Sequence, residues 1–327
     1  MGVAVKRIST SFRGVFTIRR VTIQVVAILT VAVLAGGSLR LRAACAEAGN
    51  GNTFFSQSTV RLWPGDAPEA KGNDCEDIPT LSVFQPQPGR GNGDAVIVMP
   101  GGAYLGLATI LEGREVADWF TARGFTAFVL RYRLGKKYLL PVPLMDARRA
   151  IQTVRAEATE FHIQPDHIAV IGFSAGGHLA ALSATQFVAG DAGSSDPIAR
   201  VSSRPDALIL GYGWVGGVTL DTSHLSYCKL MDVMDQCAAL AKAYTPARFV
   251  TAQTPPTFLY HTTDDKTVPV TQALDFYQAL IQAGVPAEMH IFAHGAHGSG
   301  LGSGSLALDQ WPGLMETWLR GLGWLTQ

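Results

Sequence analysis

The chain has 327 residues, of which 47% are hydrophobic and 16% are charged, and its 26 Lys and Arg residues balance 26 Asp and Glu residues. This composition excludes an intrinsically disordered chain and a coiled coil, and it provides enough apolar residues for a large core. Because the net charge is zero and no basic stripe with interleaved aromatic residues is visible, we expect no nucleic-acid partner.

The first 46 residues differ from the rest of the chain. Five basic residues and no acidic residue lie within 1–20, the apolar run "VTIQVVAILTVAVLAGG" follows at 21–37, and Ala44-Cys45-Ala46 fits the small-x-small pattern of a cleavage site before Glu47. This order predicts a signal peptide over 1–46 and export to the periplasm or the medium. The alternative is an uncleaved membrane anchor, because the apolar run falls only slightly short of the ~20 residues that span a bilayer.

After the polar and glycine-rich residues 47–57, which predict a flexible arm, the pattern indicates one domain over 58–327. Two short strand candidates come first, and then apolar runs alternate with helical patterns. The run "DAVIVM", the helical "LEGREVADWFTARG", the run "FTAFVLRYRL" and the amphipathic "PLMDARRAIQTVRAEATEF" precede a strand at 168–172, a helix at 175–187, strands at 206–212 and 257–261, a helix at 270–283, a strand at 287–293 and a helix at about 310–325. Strands without polar alternation predict an α/β fold, with a mostly parallel central sheet and helices on both faces.

About forty residues of weak periodicity separate the strands at 206–212 and 257–261, and we interpret them as an insertion over one end of the sheet. Polar residues interrupt the apolar ones there: Asp221, His224, Lys229, Asp232 and Asp235. No sustained apolar face emerges, so the lid typical of a long-chain lipase is not expected.

The stretch "HIAVIGFSAGGHLAAL" at 167–182 places a serine between two glycines where a strand passes directly into a helix. Such a turn forces unusual backbone angles at its apex, Ser174, and leaves no room for side chains at Gly172 and Gly176. The serine hydroxyl would project at the carboxyl end of the sheet and the amino end of a helix, which favours developing negative charge. This strand-turn-helix context predicts that Ser174 is a nucleophile.

A serine nucleophile needs a base and a group that orients the base. The stretch "MHIFAHGAHGSG" places His294 and His297 after the last strand, and we favour His297 because its glycine-rich setting lets it reach across. The loop after the preceding strand, "TFLYHTTDDKTVPV", offers Asp264 and Asp265, which the residues alone do not separate.

A second glycine turn leaves the strand "AVIVM" at Pro100-Gly101-Gly102-Ala103. The N–H groups of Gly102, Ala103 and Ala175 are the candidates for an oxyanion hole, although a plain turn is the alternative. Tyr104 and Trp214 follow sheet-end turns, where they would either line a short acyl pocket or contact a sugar, or else pack in the core.

Three cysteines remain after the predicted cleavage. In an oxidising compartment Cys228 and Cys237 are close enough to pair, which would leave Cys75 free; the alternative is that all three stay reduced. The sequence contains no pattern of a metal site, and we expect no cofactor.

With these motifs, the chain resembles the α/β-hydrolase esterases and lipases over residues 58–325, and within them the secreted bacterial enzymes similar to acetylxylan esterases and feruloyl esterases, a group also related to prolyl oligopeptidases. The resemblance implies a single-domain α/β-hydrolase fold with Ser174 as nucleophile and His297 as base. Its Asp-x-x-Val-Pro pattern falls on Asp265-Lys266-Thr267-Val268-Pro269 and implies Asp265 rather than Asp264. Its His-Gly-Gly-Gly motif reads Pro100-Gly101-Gly102-Ala103 here, so the oxyanion donors depart from the family pattern.

The expected function is therefore that of an exported serine esterase that removes short acyl groups, acetyl foremost, from a small ester or an acylated oligosaccharide. A peptidase of the prolyl-oligopeptidase type, a lipase or general carboxylesterase, and a fold retained only for binding remain as alternatives. The only membrane contact expected is through the N-terminal segment if it stays uncleaved, and the sequence does not indicate an oligomeric state.

Overall fold

Eight strands form a single sheet in the computed structural model, which describes residues 58–215 and 226–325. The strands, in chain order, are β1 (Ser58–Arg61), β2 (Thr80–Phe84), β3 (Ala95–Met99), β4 (Thr126–Arg131), β5 (Ile168–Phe173), β6 (Ala207–Gly211), β7 (Thr257–Thr262) and β8 (Ala287–Phe292). Their order across the sheet is β1-β2-β4-β3-β5-β6-β7-β8. The pairs β1/β2 and β2/β4 are antiparallel, and all others are parallel. The carboxyl ends of β3, β5, β6, β7 and β8 therefore meet at one edge.

The described helices are α1 (Glu115–Thr121), α2 (Val142–Ala156), α3 (Ser174–Thr185), α4 (Tyr227–Met231), α5 (Cys237–Tyr244), α6 (Thr271–Gln282) and α7 (Trp311–Gly321). A π-helical turn, Ile110–Arg114, leads directly into α1. Short 3₁₀ turns lie at Cys75–Asp77, Pro197–Arg200, Met234–Gln236 and Pro246–Phe249.

Two apolar clusters cover the two faces of the sheet. Alternate residues of the central strands, such as Ile97 and Val170, pack with apolar residues of α2, α3 and α6. The residues between them, such as Val98 and Ile171, pack with apolar residues of α1 and α7. Because both faces are buried, the central strands are apolar throughout, as parallel strands in a layered α/β domain must be.

The predicted α/β class and the alternation of elements are confirmed, and the strand and helix bounds expected after Ser174 agree within a few residues. The predicted helical segment over 111–124 begins instead as a π-helical turn at Ile110. The predicted leader 1–46, the arm 47–57 and part of the insertion, 216–225, lie outside the described residues. Among the helices of 58–215 and 226–325, none combines the length and apolar character needed to cross a bilayer.

The three cysteines within the described residues are oxidised. Cys228, in α4, forms a disulfide with Cys237, the first residue of α5, which ties the two helices of the insertion together. The expectation that Cys75 is then left free is wrong, because Cys75 is disulfide-bonded as well.

Candidate active site

The turn between β5 and α3 contains no connecting residue: β5 ends at Phe173 and α3 begins at Ser174. Ser174 has φ +51°, in the left-handed region that side chains other than glycine rarely adopt. A Cβ on Gly172 would lie 2.3 Å from the carbonyl oxygen of Gly176, and a Cβ on Gly176 would lie 2.0 Å from that of Met99. Only glycine fits at these two positions, which is the physical reason for the glycines on either side of Ser174.

The structure brings together the three side chains that the sequence selected for nucleophile, base and acid. His297 Nε2 lies 2.8 Å from Ser174 Oγ, and His297 Nδ1 lies 2.8 Å from Asp265 Oδ2. Each of the three residues follows the carboxyl end of a strand: Ser174 follows β5, Asp265 follows β7 and His297 follows β8. With Nδ1–H donating to the carboxylate, Nε2 is left to accept the serine proton, as a general base must.

Asp265 is buried and held in a single orientation. Its Oδ1 accepts the N–H groups of Thr267 at 2.8 Å and Val268 at 2.9 Å, while His261 Nε2 lies 3.5 Å from Oδ2. Burial alone would raise the pKa of Asp265, but hydrogen bonds from His261, His297 and the Val268 N–H hold that pKa well below its usual range. The carboxylate is therefore ionised at neutral pH, as the partner of an imidazole must be.

Asp264 and His294 form a separate and exposed pair. His294 Nδ1 lies 3.1 Å from Asp264 Oδ2, and the Gly295 N–H donates to Asp264 Oδ1 at 2.9 Å. The His294 side chain is 84% exposed, compared with 16% for His297. Asp264 thus ties the loop after β8 to the loop after β7 and takes no part in the contact with Ser174.

The candidate oxyanion turn lies directly against Ser174. A Cβ on Gly101 would lie 2.9 Å from the Cβ of Ser174, and Gly102, Ala103 and Tyr104 all have positive φ, of 134°, 57° and 59°. Within the described ranges, no protein group accepts the N–H of Gly102, Ala103 or Ala175. Strained backbone with N–H groups free for a ligand is typical of a site that binds developing negative charge.

Tyr104 and Trp214 are buried, with 1% and 6% of their surface exposed. The Tyr104 hydroxyl donates to His178 Nδ1 at 2.8 Å, and His178 Nε2–H donates to the Tyr244 carbonyl at 2.8 Å. Burial lowers the pKa of His178 to about 4, so its imidazole is neutral. This burial favours the core-packing alternative for Tyr104 and Trp214, since neither ring offers an open face to a sugar.

Comparison with known proteins identifies the group to which this site belongs. The BD-FAE family profile matches residues 81–280, more than half of the chain, including Ser174 and Asp265 but ending before His297. The chain belongs to the BD-FAE family. An acetyl ester-xyloside bifunctional hydrolase from Caldicellulosiruptor lactoaceticus is 37% identical and has a TM-score of 0.77, over 84% of this chain and 100% of that one.

Two curated relatives of this BD-FAE protein are larger. It is 28% identical to an acetylxylan esterase of Xylanibacter ruminicola, over 72% of this chain and 47% of the relative, and 30% identical to endo-1,4-beta-xylanase B of Butyrivibrio fibrisolvens, over 66% and 35%. The chain thus spans half or less of the length of these relatives. The predicted resemblance to α/β-hydrolase esterases similar to acetylxylan esterases is confirmed.

Sequence reasoning missed three buried polar residues beside the predicted site of this BD-FAE protein: Glu112, Tyr212 and His261. His261 lies in the strand β7, where the run "TFLYHT" reads as uniformly buried, and a buried histidine four residues before Asp265 is a signal that could have been used. Glu112 lies in a segment with a helical pattern, where an acidic residue is usually exposed to solvent.

One group of carboxylates outside this site has the spacing to bind a metal. The carboxylates of Asp74, Glu76 and Asp77 come within 4.8 Å of one another. Lys137 Nζ already forms ion pairs with Glu76 at 2.5 Å and with Asp77 at 2.7 Å. The positive charge of Lys137 therefore occupies the place that a cation would take.

Proposed function

We propose that this protein is an exported serine esterase that removes short acyl groups, above all acetyl, from carbohydrate. The observation that carries the proposal is the chain of 2.8 Å contacts from Asp265 through His297 to Ser174, with the glycine turn at Gly101 packed against the serine. The names of two relatives, an acetylxylan esterase and an acetyl ester-xyloside hydrolase, support acetylated carbohydrate as the substrate class.

In the proposed mechanism, Ser174 Oγ attacks the ester carbonyl while His297 Nε2 takes the hydroxyl proton, and Asp265 stabilises the resulting imidazolium. The carbonyl oxygen becomes an oxyanion that accepts hydrogen bonds from the N–H groups of Gly102, Ala103 and Ala175. Collapse of this intermediate breaks the bond to the alcohol, which leaves with the proton from His297. Water, deprotonated by His297, then attacks the acyl-enzyme, and the bond to Ser174 Oγ breaks as His297 returns the proton to that oxygen and the acid product leaves.

Each oxyanion donor is expected to contribute about 3 kcal/mol to transition-state stabilisation, which is the cost of losing one such donor in comparable enzymes. The scheme requires no metal and no organic cofactor, because the serine, the imidazole and the backbone N–H groups supply the nucleophile, the proton transfer and the charge stabilisation.

The proposed location is outside the cytoplasm. The basic residues, apolar run and small-x-small site within 1–46 support it. The disulfide between Cys228 and Cys237 supports it independently, because disulfides persist in oxidising compartments. Expression of the full chain followed by mass analysis tests this: a mature protein beginning at Glu47 is expected, whereas a full-length protein in the membrane fraction would indicate an anchor.

A substrate screen with the wild-type protein tests the activity. We compare p-nitrophenyl acetate, butyrate and octanoate with acetylated xylan and a Gly-Pro peptide, and we use Ser174→Ala as the matched control. Release of acetate from xylan by the wild type, but not by the variant, is the expected result. Cleavage of the peptide in preference to all esters would instead indicate a peptidase, and inertness toward every substrate would favour a fold retained for binding.

A further inference from the structure

Glu112 is a buried acid without a role in the scheme above. It is 3% exposed and lies in the π-helical turn Ile110–Arg114, a feature that is frequent at functional sites. Its Oε2 accepts the Gly101 N–H at 2.7 Å, and its Oε1 accepts the Tyr212 hydroxyl at 2.7 Å. Neither donor is cationic, so burying this carboxylate is costly unless its position serves a purpose.

The first contact of Glu112 fixes the candidate oxyanion turn. The Gly101 amide that it binds directly precedes the two amides proposed for the oxyanion, Gly102 and Ala103. A Cβ on Gly101 would lie 2.7 Å from Glu112 Oε2 and 2.9 Å from the Cβ of Ser174, so the carboxylate, the turn and the serine are packed against one another. By occupying the Gly101 N–H, Glu112 holds the turn in the orientation in which the next two N–H groups are free.

The second contact of Glu112 leads to the base. The Tyr212 hydroxyl that donates to Glu112 accepts the Gly300 N–H at 2.8 Å, in the loop that carries His297. The Tyr212 ring also packs edge-on against the His297 imidazole, with 5.0 Å between the ring centroids. One carboxylate therefore connects the turn beside the nucleophile with the loop of the base.

The charge of Glu112 also acts on His297. Burial raises the pKa of Glu112 above its usual value, and hydrogen bonds from Tyr212 and Gly101 and the attraction to His297 offset only part of that rise. The titratable groups that surround the two residues are Asp265, His261, Tyr132, Tyr212 and Tyr260. Burial raises the pKa of all three tyrosines, which stay neutral. The acidic groups near His297 are therefore Asp265 and Glu112, and both oxygens of Glu112 accept hydrogen bonds, as those of a carboxylate do.

We propose that Glu112 is a positioning residue, which holds the Gly101 turn and Tyr212 in place, and whose negative charge stabilises the imidazolium that His297 becomes when Ser174 attacks. This inference rests on the proposed esterase mechanism. In the step concerned, the proton passes from Ser174 Oγ to His297 Nε2, and the attraction between the new positive charge and Glu112 favours that transfer.

The test is Glu112→Gln, which keeps the size of the side chain and removes its charge, with Asp118→Asn in the following helix as control because Asp118 is 52% exposed. With p-nitrophenyl acetate, we expect Glu112→Gln to lower kcat at least about tenfold with little change in KM. We also expect the acidic limb of the kcat/KM profile to move to lower pH by about half a unit or more, because the imidazolium loses a stabilising anion. Asp118→Asn should match the wild type.

A kcat within about twofold of the wild type, together with an unmoved acidic limb, would overturn the inference. If Glu112→Gln does not fold, Tyr212→Phe decides: it keeps the ring against His297 but loses both hydrogen bonds, and a kcat reduced at least about threefold at unchanged KM is expected. An unchanged kcat in Tyr212→Phe would then refute the inference. A wild-type protein without esterase activity would refute the proposed function itself, which keeps the two failures apart.

Discussion

Replacing Asp265 with asparagine tests the proposed roles of Asp265, His297 and Ser174 where the structure makes the sharpest prediction. The N–H groups of Thr267 and Val268 both point at Oδ1, so the amide oxygen of the asparagine must take that place. The amide NH₂ then faces His297 Nδ1, where Oδ2 stood. It can only donate, which forces the imidazole proton onto Nε2, the atom that should accept the proton of Ser174.

The expected loss in kcat is about 10⁴-fold, equivalent to about 5 kcal/mol of transition-state stabilisation, because the wrong tautomer prevents proton transfer while the geometry stays intact. Asp264→Asn is the matched control. Among the described residues, the Asp264 side chain has hydrogen bonds with His294 and the Gly295 N–H. An asparagine oxygen can still accept the latter, so a change within about twofold is expected.

Both variants are assayed by initial rates on p-nitrophenyl acetate. The number of competent sites is counted by reaction with an organophosphonate, and folding is checked by circular dichroism. Equal losses in the two variants, or a larger loss for Asp264→Asn, would refute the assignment. A kcat for Asp265→Asn above about a tenth of the wild-type value would show that the tautomer argument is wrong.

Four further outcomes are expected. Ser174→Ala should abolish esterase activity with Tm nearly unchanged, whereas Ser174→Gly should stabilise the fold by about 1 kcal/mol, or ~2–4 °C, because glycine accepts φ +51° without strain; an unchanged Tm for the glycine variant would contradict this. From acetyl to octanoyl p-nitrophenyl esters, kcat/KM should fall at least about tenfold, and a steady rise with chain length would indicate a lipase. Urea denaturation of a variant with serine at both Cys228 and Cys237 should show a loss of about 2.5 kcal/mol, and wild-type stability would argue against a structural role for this bridge. Asp146→Ala should cost about 3–5 kcal/mol, because Arg133, fully buried and 2.7 Å from Asp146, loses the carboxylate that balances its charge; a loss below about 1 kcal/mol would contradict this.

The parts of the site that depend on backbone geometry could be predicted from the sequence. The glycines around Ser174 are required by contacts between main-chain atoms, and such contacts leave a local pattern that is readable without the structure. The same holds for the strands, whose apolar runs follow from burial on both faces.

The parts that depend on contacts between distant segments could not be predicted. The residues alone did not separate Asp264 from Asp265, because both follow β7 and their difference lies in which loop each one meets. Glu112 is 100 residues from Tyr212 in sequence, and no local pattern records that pairing.

The close packing around the start of α3 has a consequence for engineering the substrate range of this protein. A Cβ on Gly172 or Gly176 would meet carbonyl oxygens, and a Cβ on Gly177 would lie 2.7 Å from the Cα of Gly213. Because main chain fills this space, no second substitution elsewhere can make room, and mutant libraries that include these positions will consist mainly of inactive clones. Better positions to mutate are those whose side chains already face solvent near the turn after β3, such as Leu105 and Ile110, which are 53% and 59% exposed.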